Sequence, residues 1–97
     1  MLVDRRTFYL KPEHANTAVQ MMVAENHRLG VTQVRFYLSM TGRFNTLVGE
    51  WEFENLAAYE KFWKEWGGSP EATVFLEKFR PLNETVGTHE LWNLVQY

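Results

Sequence analysis

Thr46-Leu47-Val48-Gly49-Glu50-Trp51-Glu52-Phe53-Glu54-Asn55-Leu56-Ala57-Ala58-Tyr59 changes its period halfway along. From Thr46 to Glu54, Leu47, Gly49, Trp51 and Phe53 alternate with Val48, Glu50, Glu52 and Glu54, the period of two of a half-buried strand. Asn55 is a favoured helix N-cap. Beyond it Leu56, Tyr59, Trp63 and Trp66, with Phe62 beside them, fall at the spacings of an inward helical stripe.

Upstream, Val31 to Thr41 reads as a second strand. Val34, Phe36, Leu38 and Met40 point one way, and Gln33, Arg35, Tyr37 and Ser39 the other. The turn Thr41–Asn45 joins it to the Thr46 strand as an antiparallel hairpin, with Gly42 and Asn45 able to take positive φ. A helix is expected from Pro12 to about Leu29, with Ala15, Val19, Met22, Val23 and Leu29 near one face and Gly30 as its cap. Arg5 to Leu10 reads as the first strand.

Downstream, Gly67-Gly68 stops the second helix. Ser69-Pro70-Glu71 starts a shorter third one, which buries Ala72, Phe75, Leu76 and Phe79 and ends by Pro81. Thr88 to Tyr97 is the last strand, with His89, Leu91, Asn93 and Val95 on one side and Glu90, Trp92, Leu94 and Gln96 on the other. The order is that of an α+β, ferredoxin-like βαββαβ sandwich with an extra short helix before the last strand, one domain over residues 1–97.

Ten Lys and Arg against twelve Asp and Glu give a net charge of −2, without a basic run, which argues against nucleic acid as a partner. The absence of cysteine removes disulfides, thiolate metal sites and a Cys nucleophile. Met1–Arg6 is too polar for a signal peptide and no apolar run reaches a membrane span, so a cytoplasmic protein without a membrane partner is expected.

Helices on one side of the sheet would cover Val34/Phe36/Leu38/Met40 and Leu47/Trp51/Phe53. The other side mixes Tyr9, Tyr37, Val48 and, depending on register, Trp92 or Leu91 with Arg5, Thr7, Arg35, Glu50 and Glu52. Such a mixture suits burial against a second sheet around a lined cavity, as in a homodimer whose sheets face one another as a barrel. A wet outer face carrying cross-strand Arg–Glu pairs is the plainer alternative.

Arg6-Thr7-Phe8-Tyr9-Leu10-Lys11-Pro12 resembles the Arg-Thr-Tyr-x-Leu-x-Pro opening of NIPSNAP-type domains, with Phe8 in place of Tyr and Glu13 in place of the usual Gly. Glu50-Trp51-Glu52-Phe53-Glu54-Asn55-Leu56 is similar to their Leu-Trp-x-Tyr-Asp-Ser-Leu stretch before the second helix. The resemblance implies the dimeric α/β-barrel superfamily, which includes cofactor-independent monooxygenases, haem-degrading enzymes, stress-responsive proteins and many of unknown role. Fold likeness alone transfers none of these activities. The haem-degrading relatives place a His on a late helix, and Ser69 to Phe79 contains none.

His14, His27 and His89 lack the spacing of a metal site, and no cofactor is called for. Glu50 and Glu52, neighbours on one strand face, are candidate general bases if a cavity encloses them, unless Arg5 and Arg35 neutralise them. Tyr9, Arg35, Tyr37, Glu50 and Trp92 are candidates for holding a small aromatic or anionic molecule. Packing at a dimer interface is the plainer reading of those residues, as core packing is for Trp51, Trp63 and Trp66. Three functions therefore stand: a homodimeric small-molecule-binding domain with a cleft between sheet and helices or between protomers, a cofactor-independent monooxygenase acting on an aromatic substrate, and a structural or regulatory dimer without ligand.

Overall fold

Strand alternation, hairpin turn and helix caps assemble into one four-stranded antiparallel sheet of order β2-β3-β1-β4, with the helices packed on one face. The computed structural model describes residues 1–96. Its elements are β1 (Leu2–Tyr9), α1 (Ala15–Arg28), β2 (Val34–Leu38), β3 (Thr46–Phe53), α2 (Leu56–Gly67), α3 (Pro70–Phe79) and β4 (Thr88–Asn93). Short 3-10 turns at Pro12–His14 and Arg80–Leu82 lead into α1 and out of α3.

The local signals act where the residues place them. Asn55 accepts a hydrogen bond from the Ala58 amide at 2.9 Å, and Ser69 accepts one from the Ala72 amide at 3.2 Å, so each helix start has a satisfied donor. In the β2–β3 hairpin Gly42 (φ 81°) and Asn45 (φ 57°) take left-handed backbone. Gly30, just past α1, does the same (φ 71°).

The core lies between sheet and helices. Leu10, Ala15, Ala18, Met22, Leu47, Trp51 and Phe79 are buried together, with Phe8, Phe36, Phe53, Trp63 and Phe75 packed around them. Removing a side chain such as Leu47 from water contributes about 2 kcal/mol. Gly49 is dictated by this packing, because a Cβ there would lie 2.6 Å from the Trp51 ring.

Five expectations from the sequence are corrected. The first strand starts at Leu2 rather than Arg5, and Leu10 makes only an isolated bridge to Asn83. The second strand runs over Val34–Leu38 alone, because Thr32 and Gln33 follow the α1 cap as loop and Met40 already belongs to the turn. The helices do not reach Leu38 or Met40, which are 46% and 92% exposed. Leu56 lies in the exposed first turn of α2, outside the inward stripe. The last strand ends at Asn93, where pairing with Leu2 runs out, and the expectation for Tyr97 lies outside the described residues.

Candidate functional site

Register decides which side chains share the sheet face without helices. Antiparallel pairing aligns Arg35 with Glu50, Glu50 with Arg5, and Arg5 with Glu90. A row of alternating charge therefore crosses all four strands on the uncovered face. Beside it, Glu52 and Trp92 flank Val3, and on its other side Tyr37, Val48, Thr7 and Thr88 form the next row. Trp92, not Leu91, belongs to this face, because Leu91 pairs with Asp4, whose side chain is wholly buried.

The row is cross-linked by ion pairs. Arg5 Nε lies 3.9 Å from Glu50 and Arg35 Nη2 lies 3.5 Å from Glu52. These carboxylates are 26% and 22% exposed, whereas Arg35 is 69% exposed, so the guanidinium reaches over the face. Both candidate bases, Glu50 and Glu52, thus have an arginine beside them.

Around this row lies an open groove of about 550 Å³. Val3, Arg5, Glu50 and Glu52 lie along it, with Trp92 to Val95 from β4 and its continuation and Thr32 to Arg35 leading into β2. Of the candidate binding residues, Arg35, Glu50 and Trp92 line the groove. Tyr37 and Tyr9 share the face but stand outside the groove, and Arg43 caps the Tyr9 ring at 3.9 Å. Trp92 is 53% and Tyr37 46% exposed, large rings standing on an uncovered sheet. The arrangement offers ionic and hydrogen-bonding groups along the groove and an indole face, which suits a flat polar molecule.

The opposite face carries a polar node that sequence reasoning missed. Asp4, fully buried, accepts hydrogen bonds from Trp63 Nε1 at 2.7 Å and Arg6 Nε at 3.2 Å, and lies 2.9 Å from His89 Nε2. The Tyr59 hydroxyl lies 3.3 Å from the same His89 nitrogen. Nearby, Asn26 accepts from Trp51 Nε1 at 2.8 Å while donating to the Met22 carbonyl. His89 therefore does have a carboxylate partner, one that its chain position did not reveal. The available signal was parity: Asp4 and Arg6 alternate with Val3, Arg5 and Thr7, placing them on the face of Phe8. Among the described residues no group of three His, Cys, Asp or Glu side chains could hold a metal ion, and no helix is long and apolar enough to cross a membrane.

Comparison with known proteins agrees with this architecture. The NIPSNAP family model matches residues 3–94. A NIPSNAP family protein of unknown function from Agrobacterium tumefaciens is 21% identical; the match covers 100% of this chain and 90% of that one, with a TM-score of 0.85. A NIPSNAP domain protein from Burkholderia xenovorans is 15% identical over 100% of this chain and 97% of that one, with a TM-score of 0.84. A proposed antibiotic biosynthesis monooxygenase from Deinococcus radiodurans is 15% identical over 100% and 95% of the two chains, with a TM-score of 0.76. No protein of curated function matches the sequence.

Proposed function

The chain belongs to the NIPSNAP family, and from that premise we propose that it is a homodimeric small-molecule-binding domain whose ligand lies against the uncovered sheet face. One observation carries this reading: the groove lined by two Arg–Glu pairs and by Trp92, on a sheet face that none of the described helices covers. A second copy laid sheet to sheet would bury Trp92 and Tyr37 and close the groove into a chamber. The ligand class is a flat aromatic or anionic molecule, stacked on Trp92 and held by Arg35.

The experiment is Arg35→Ala and Glu50→Gln in parallel, both residues lining the groove, followed by ligand uptake and by oligomeric state. Folded dimers that no longer take up ligand support the chamber. Variants that only weaken dimerisation support a structural or regulatory dimer without ligand.

A second reading is favoured by the fold shared with the proposed monooxygenase from Deinococcus radiodurans. In it the chamber would hold an electron-rich aromatic that itself activates dioxygen, with Glu50 or Glu52 removing its proton. Oxygen consumption in the presence of hydroquinones separates the two readings, since binding alone consumes none.

A further inference from the structure

Between the sheet and the three helices lies a second, smaller hollow of about 90 Å³, on the opposite side of the sheet from the groove. Its walls are aromatic. Trp51 meets Trp63 edge to face at 5.4 Å, Trp63 meets Trp66 at 5.9 Å, Trp66 meets Phe75 at 5.7 Å, and Phe75 stacks on Phe79 at 5.0 Å. Each indole N–H of this arc is committed to protein: Trp51 to Asn26, Trp63 to Asp4 and Trp66 to Glu25, all at 2.7–2.8 Å. The bonds lock the ring orientations and leave ring faces and edges as the inward surface, a preorganised apolar wall.

The polar groups at the hollow are accounted for, save one. Glu25 already receives two hydrogen bonds from Arg28 and one from Trp66. Asn26 is paired on both sides of its amide. Arg6, which lines the hollow, spends its Nε on Asp4 and lays its guanidinium 4.0 Å from the Trp63 ring. Its Nη1 and Nη2 have no protein partner among the described residues. A cation with free donors therefore stands beside an apolar slot.

We propose that this hollow is a second binding site, independent of the groove, for a single-ring aromatic carboxylate. The ring enters the aromatic arc and the carboxylate meets the free Nη groups of Arg6. An apolar cavity of ~150 Å³ encloses a whole benzene, so a hollow of about 90 Å³ takes the ring edge-first and leaves its substituent at the mouth. Two fused rings do not fit.

Indole N–H resonances in two-dimensional NMR read the site directly, because Trp51, Trp63 and Trp66 line it and Trp92 lies across the sheet. Benzoate is expected to move the Trp63 and Trp66 signals saturably, and benzylammonium, of similar size and opposite charge, to bind at least tenfold more weakly. The Phe62→Ala variant, which opens the half-buried rim beside Trp63, is expected to admit 2-naphthoate that the native chain excludes. The proposal is overturned if benzoate moves only Trp92, which would instead support the groove, or if it moves no indole saturably. Equal binding of benzylammonium, or exclusion of 2-naphthoate by Phe62→Ala, would likewise overturn it.

Discussion

Asp4 Oδ1 lies 2.9 Å from His89 Nε2, joining the first strand to the last beneath the helices. The carboxylate has no exposed surface and is encircled by donors from β1, α2 and β4, so it ties three elements at one point. Asp4→Asn keeps the shape but presents an amide NH2 to those donors. A loss of about 3 kcal/mol is expected in urea unfolding, since breaking a buried ionic cluster leaves its partners unpaired. A loss below 1 kcal/mol would mean that the cluster rearranges freely.

Gly49 sits under the Trp51 indole, and an added methyl has no room beside the ring or beside Phe36, 3.2 Å away. Trp51 is 2% exposed and hydrogen-bonded to Asn26, so it does not swing aside. Gly49→Ala is expected to lower stability by about 2 kcal/mol, with a change in near-UV circular dichroism as the indole shifts. An unchanged spectrum would contradict the packing described.

The hydrogen bonds from Arg28, with a further one from Trp66, hold the Glu25 carboxyl below its ordinary value of 4.5 against the opposing effect of burial. A carboxylate lowered in the folded state contributes stability that is complete above its unfolded value and disappears as pH falls through the folded one. Glu25→Gln is therefore expected to cost about 1 kcal/mol near neutrality, a figure kept small because Arg28 is 45% exposed. The gap to the native chain closes as the pH is lowered toward 3. A gap that persists there would assign the effect to packing of the side chain, not to its charge.

Asn55, two residues past the end of β3, is the N-cap of α2. Asn55→Ala removes the acceptor for the Ala58 amide and is expected to lower the unfolding free energy by about 1 kcal/mol, whereas Asn55→Asp retains it. Equal stability of the three proteins would show that the cap contributes nothing.

The fold was legible where chain-local chemistry decides it. The switch of period at Asn55, the caps at Asn55 and Ser69, and the positive-φ positions Gly42 and Asn45 each declare themselves within a few residues. Strand ends were less legible, because Leu2 joins β1 through partners on β3 and β4, and Met40 leaves β2 where pairing with β3 ends at Leu38 and Leu47. The uncovered face was readable from alternation, so Arg35, Glu50 and Trp92 line one groove. Only strand register could choose Trp92 over Leu91 and place Tyr9 and Tyr37 beyond the groove. Parity places Asp4 on the helix-covered face, but its contact with His89 needs the β1–β4 register as well.

Native mass spectrometry of the protein as purified reads the sheet-to-sheet dimer and its ligand at once. A species of twice the chain mass that carries additional mass from a bound small molecule is expected, with both features lost together when Trp92 is replaced by Glu. A clean monomer would contradict that dimer, leaving the row Arg35–Glu50–Arg5–Glu90 as a solvated surface and the groove as an open furrow.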